Sequence, residues 1–269
     1  MFLCFAPRVD GELITDSPLK LINNKSSEAY AFFRSLDVVI GNVESEGSLL
    51  LGKPLTNFQT KYGFNIEIGI PRSVLCNHLA PTMALDIYNN SKVAAAVCQE
   101  YGYSFGLYDS MDSVNFYSDL YFYSKTVYTL NKHSEGLTSS RSFQYLSKKK
   151  TILSPVLPLW FKGPGHASEL PLLFPFYDFL SNKSEDLALS LTMMRYWTNF
   201  AKYGDPNGSS VPQWPPYTQG IKAYQILDVK ISTDTDMYKD RIDFWLVNIP
   251  KIANTTSTIH AEKVGLNLI

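Results

Sequence analysis

The feature that most constrains this chain is Asp37-Val38-Val39-Ile40-Gly41-Asn42-Val43, a compact β-branched run followed at once by polar Glu44-Ser45-Glu46-Gly47-Ser48. β-branched residues are stiff at χ1 and suit the pleated backbone. An apolar run without alternation is what a strand covered on both faces requires, and such strands belong to parallel sheets flanked by helices. The run therefore predicts an α/β chain. It also sets Glu46 beyond the carboxyl end of a strand, where ligands and reactive groups gather in open α/β sheets.

The rest of the chain alternates in the same manner. Residues 5–18 are punctuated by Pro7, Gly11 and Pro18 and lead into a short helix around Leu19–Asn23. Over 73–101, Leu75, Leu79, Met83 and Ile87 recur about one turn apart, with Pro81 expected to break or restart the helix. Asp119–Leu130 suits a helix against a core, Ser142–Leu146 alternates like a strand, and a Pro/Gly-rich loop over Pro155–Gly165 delivers His166. The plainest helix is Ser184–Tyr203. Ser184 is placed to cap it, Leu187, Leu191, Met194 and Ala201 are expected on its buried face, and Gly204 and Pro206 stop it. No internal repeat competes with this strand–helix order.

A chain of 269 residues with 45% hydrophobic and 14% aromatic content can bury a full core, as one domain or as part of a larger one. Its 24 basic and 25 acidic residues leave a formal charge of -1, so charge does not recruit nucleic acid or an anionic membrane. A small, neutral partner is expected. Cys4, Cys76 and Cys98 are too far apart for a zinc ribbon or a C-x-x-C pair, and their odd number leaves at least one unpaired. Cys76-x-His78 lacks a partner cluster, so no metal site is expected. N-x-[ST] sequons at Asn24, Asn89, Asn182, Asn207 and Asn254 favour a secretory route and glycosylation. No stretch approaches the roughly 20 apolar residues of a membrane span. The opening residues Met1–Arg8 lack a basic n-region, so a secretory signal is expected on sequence preceding these residues.

Several segments, in order, resemble the C-terminal half of the type-B carboxylesterases, the cholinesterase-like α/β-hydrolases. Phe5-Ala6-Pro7-Arg8-Val9-Asp10-Gly11 is similar to the family's F-x-P-x-V-D-G lead-in, and Ile40-Gly41 through Glu46-Gly47 to its I-G-x-x-x-x-E-G acid segment. Gly165-His166-Ala167-Ser168-Glu169-Leu170 through Phe174 resembles the histidine segment H-x-x-E-L-x-x-x-F. Met193–Asn207 and Trp214-Pro215-Pro216-Tyr217 match the helix and W-P-x-Y turn that follow, and Phe244-Trp245 resembles the start of the closing helix.

The resemblance implies a mixed, mostly parallel sheet flanked by helices, with residues 1–269 forming the C-terminal part of one carboxylesterase domain. It implies a carboxylic ester hydrolase using a Ser-His-Glu triad, a small-molecule ester as substrate and no cofactor. His166 would be the general base, and Glu46 would fix its tautomer and stabilise the imidazolium. It also implies C-terminal helices able to pair into a homo-oligomer.

The chain departs from the family in one decisive respect. The nucleophile should precede Glu46 on a G-x-S-x-G elbow, and none of the 45 residues before Glu46 forms one. The glycine-rich oxyanion segment is also missing, so these residues alone are expected to be inactive. Gly102-Tyr103-Ser104-Phe105-Gly106 matches the elbow literally but follows the acid, and reads as a loop. Where the family often has a disulfide, the chain has Ser118 and Ile242. The alternative is a non-catalytic adhesion protein of the neuroligin kind, in which triad residues would drift.

Overall fold

The computed structural model describes residues 8–51, 59–102, 110–136, 139–151, 157–174 and 184–253. Four strands form one sheet in the order β1-β2-β3-β4: β1 Val38–Val43, β2 Ser142–Ser147, β3 Ala223–Leu227 and β4 Ser232–Thr235. The β1–β2 and β2–β3 pairings are parallel, and β3–β4 is antiparallel. The fold is thus a mixed, mostly parallel α/β sheet. In the β1–β2 register Gly41 lies opposite Tyr145. A Cβ on Gly41 would sit 2.1 Å from the Tyr145 ring, so the aromatic side chain needs the glycine beneath it.

The two sheet margins differ. β4 is four exposed residues, Ser-Thr-Asp-Thr, a short polar edge of the kind that discourages further pairing. β1, the other outer strand among the described residues, is half-buried over Val38–Gly41 and buried at Asn42 and Val43.

Helices cover both sides of the sheet. Short α1 (Pro18–Asn23) and α2 (Glu28–Ser35) start on Ser17 and Ser27, whose hydroxyls accept from Lys20 and Tyr30 amides. The next helix, over 72–88, alternates α-helical Arg72–Val74 and Ala80–Met83 with π-helical Leu75–Leu79 and Ala84–Tyr88. Pro81 does not end it. The Ala80 amide bonds back five residues to Leu75, and Pro81 sits in the first turn of the restarted α stretch, where its missing N–H matters little. The π turns also explain the strict four-residue spacing of Leu75, Leu79, Met83 and Ile87, all buried. On a pure α-helix that stripe would drift about 40° per step, and the wider turns absorb the drift.

Cys76 on this helix is disulfide-bonded to Cys98 on the following helix, Ser91–Tyr101. The bond removes the Cys76 thiol as a metal ligand. A third long helix runs over 110–133, with a π segment Asp119–Tyr123 in its middle.

The helix Ser184–Tyr203 has the expected limits, but its buried face is not the expected one. Leu189, Met193 and Tyr196 face inward with Phe143, Leu172, Trp214 and Leu227, whereas Leu191 is 41% exposed and Ala201 is exposed. Met193 and Tyr196 bring more area to the Phe143–Trp214 wall than Leu191 and Ala201 could, and area removed from water decides the face. The closing helix, over 239–253, begins at Lys239, five residues before Phe244, and Phe244–Asn248 forms its π-helical middle. Ser118 and Ile242 make no covalent link. The residue beside each does the joining: Asp119 accepts two bonds of 2.7 Å from Arg241, tying the 110–133 helix to the closing helix.

Candidate active site

β1 and β2 end side by side, and the chain beyond β1 turns at once into a 3-10 turn, Glu46–Leu51. Ser45 forms an isolated parallel bridge with Gly165, which sets His166 beside Glu46. The His166 amide donates to Ser48 Oγ at 2.7 Å, and Ser45 Oγ donates to the Lys162 carbonyl at 3.3 Å. Ala167, next in the chain, takes φ +62°, a left-handed conformation that costs a non-glycine residue about 1 kcal/mol.

His166 Nδ1 donates to Glu46 Oε2 at 2.6 Å, a charge-assisted distance. The other carboxylate oxygen, Oε1, accepts from the Val43 amide at 2.8 Å. Glu46 is buried, whereas the His166 side chain is 36% exposed and makes no Nε2 hydrogen bond among the described residues. The Glu46 hydrogen bond raises the His166 pKa above the ordinary histidine value, desolvation opposes it, and the Glu46 charge adds to the rise. The ring of Phe122 lies 5.4 Å from that of His166. Glu169 completes the setting: burial pushes its carboxyl above the usual range, the Glu46 charge pushes the same way, and Oε2 has no hydrogen-bond partner among the described residues.

The expected pair Glu46 and His166 is therefore brought together across a separation of 120 positions. Four further hydroxyls bond around the pair, those of Ser45, Ser48, Ser118 and Tyr123, and none was expected as a site residue. Ser45 and Ser48 carried a signal, since both fall in the polar stretch after the β-branched run, whereas Ser118 and Tyr123 bond to the backbone around Glu46 from a distant helix. The literal G-x-S-x-G segment opens on Gly102, whose amide bonds to the Cys98 carbonyl as the C-cap of a helix rather than after a strand, and Ser104 lies outside the described residues. A cavity of about 620 Å³ lined by Glu100, Phe244 and Lys251 includes neither Glu46 nor His166.

The sequence of residues 1–245 matches the Carboxylesterase family. The chain belongs to that family. Among characterised relatives, bile salt-activated lipase of Bos taurus is 26% identical over 271 residues, covering 95% of this chain and 42% of the relative. Bile salt-activated lipase of Rattus norvegicus is 30% identical over 262 residues, covering 91% and 39%. Carboxylesterase 5A of Canis lupus familiaris is 28% identical over 271 residues, covering 97% and 44%. This carboxylesterase-family chain thus spans less than half the length of each.

Of the sequon asparagines, Asn24 and Asn89 are exposed, and Asn182 and Asn254 lie outside the described residues. Asn207 is differently placed: its Nδ2 donates to Asp205 Oδ1 at 2.8 Å and to the Trp214 carbonyl at 2.9 Å. Among the described residues no helix is long and apolar enough to cross a membrane.

Proposed function

We propose that this chain supplies the acid and base of a serine carboxylic ester hydrolase. The observation that carries the reading is the 2.6 Å bond from His166 Nδ1 to the buried Glu46 carboxylate, with the His166 side chain 36% exposed. An ionised carboxylate can only accept, so it holds the neutral ring in the Nδ1–H form and leaves the Nε2 lone pair outward. Nε2 takes the proton of a serine hydroxyl as that oxygen attacks the ester carbonyl, then returns it to the departing alcohol. Glu46 stabilises the imidazolium between these transfers. Water, activated by the same nitrogen, then cleaves the acyl-enzyme.

The serine and the oxyanion donors come from outside these residues. The adhesion alternative gives no reason for a buried carboxylate to be aimed at Nδ1. Exposed sequons at Asn24 and Asn89 accord with a secretory route, with Asn207 kept unmodified by its bonds to Asp205 and Trp214.

The test is hydrolysis of an activated aryl ester. The 269-residue chain should show background turnover only, and a polypeptide that joins it to an upstream G-x-S-x-G segment should turn over. In that longer polypeptide His166→Ala should lower kcat by about 10³-fold or more. Turnover by the 269 residues that is lost in Ser104→Ala, or a His166→Ala enzyme within a few-fold of the parent, contradicts the proposal.

A further inference from the structure

Glu46 stands at the start of a 3-10 turn, a form with poor hydrogen-bond geometry of its own. What fixes that turn is the helix over 110–133. The Gly47 amide donates to Ser118 Oγ at 2.8 Å, and the Ser118 hydroxyl donates to the Val114 carbonyl at 2.8 Å. The contact is at backbone level: a Cβ on Gly47 would lie 2.0 Å from the Val114 oxygen and 2.9 Å from the Ser118 nitrogen. One turn further along the helix, the Tyr123 hydroxyl reaches the Val43 carbonyl at 2.8 Å and also the Glu44 carbonyl. Val43 is also the residue whose amide binds Glu46 Oε1, so Tyr123 holds the carbonyl side of that residue, one peptide beyond the amide that binds the carboxylate. Ser118 and Tyr123 are both fully buried.

Tyr123 is itself held in place. Its ring stacks on Tyr238 at 5.2 Å, and the Arg241 guanidinium lies 5.9 Å from its centroid. The two hydroxyls bracket the acid on either side in sequence, at 43–44 and at 47.

We propose that Ser118 and Tyr123 are positioning residues that fix the acid turn at the distance from which Glu46 reaches His166. This rests on reading Glu46 and His166 as the acid and base of the site. Neither hydroxyl touches the imidazole, and each acts through the turn backbone. Deleting either leaves a buried amide or carbonyl without its partner, and the turn shifts to recover one. A short charge-assisted bond weakens with such a shift, and the charged groups then facing His166 are Glu46 from the turn and Glu169 from its own segment.

The His166 ring reports the effect in the 269-residue chain itself, without a nucleophile. Its protonation is followed by NMR in the parent and in Glu46→Gln, Ser118→Ala, Tyr123→Phe and Tyr217→Phe. Tyr217→Phe is the control, because that hydroxyl bonds Asn131 Oδ1 at 2.8 Å and belongs to neither the turn nor its helix contact. The expected result is a His166 pKa that falls in Glu46→Gln, falls part of the way in Ser118→Ala and in Tyr123→Phe, and stays at the parent value in Tyr217→Phe. A fall in Glu46→Gln alone overturns the positioning roles and leaves the pair intact. An unchanged pKa in Glu46→Gln overturns the pair, and the positioning proposal with it. Should one hydroxyl variant fail to fold, the other decides.

Discussion

Asp119 and Glu46 are both buried acids bonded to a basic side chain, yet they are bonded in different ways. Asp119 is fully buried and receives three donors: Arg241 Nε and Nη2 at 2.7 Å each and the Tyr101 hydroxyl at 2.6 Å, with Trp245 Nε1 backing Tyr101 at 2.7 Å. Arg241 keeps its charge at every accessible pH, so the basic partner of that pair exchanges no proton. Glu46 gives one oxygen to the backbone and the other to an imidazole that gains and loses its proton near neutrality. The first arrangement locks two helices together. The second leaves a titratable ring on a partly exposed side chain, which is what acid–base chemistry needs and stability does not.

The contrast can be broken by removing one partner from each pair. Arg241→Ala strands a buried carboxylate and should cost about 3–5 kcal/mol in denaturant unfolding. Glu46→Gln removes one charged hydrogen bond while keeping an acceptor for the Val43 amide, and should cost about 1–2 kcal/mol. Equal losses would show that the Glu46 pair is a structural clamp like the other.

A smaller effect is expected in the response to pH. The folded chain raises the His166 pKa, chiefly through the Glu46 hydrogen bond, so the folded state holds a proton that the unfolded state releases. The stabilisation from this residue is complete below the ordinary histidine value of about 6.5 and is lost as pH rises through the raised one. His133 works in the opposite sense. Burial lowers its pKa, so its contribution is present above the ordinary value and is lost as pH falls through the lowered one. Unfolding free energy measured across this range should therefore lose its alkaline decline in His166→Gln and keep its acid decline. A decline unchanged in His166→Gln would contradict the assignment.

What was legible in the sequence follows from range. Val38–Val43 and Ser142–Ser147 are strands because each run states its own preference, and the limits of Ser184–Tyr203 are written in its end residues. The inward face of that helix was not legible, because it depends on Phe143 and Trp214, which meet it only in the folded chain. β3 and β4 went unread, since Ala223–Leu227 is short and Ser232–Thr235 carries no apolar residue. The Cys76–Cys98 bond and the π turns around Pro81 needed the packing of two helices to appear. At the site, Glu46 and His166 were visible as motif residues. The hydroxyls of Ser118 and Tyr123 were not, because a buried serine or tyrosine on a helix carries no local mark of the turn it will hold.

If Nε2 is the base, Glu46 must hold His166 in one tautomer. The ¹⁵N chemical shifts of the His166 ring, recorded above its pKa in the 269-residue chain, test it directly. The expected result is a neutral ring protonated at Nδ1 with an unprotonated Nε2, and loss of that preference in Glu46→Gln. A ring protonated at Nε2, or one exchanging between both forms in the parent chain, would contradict it.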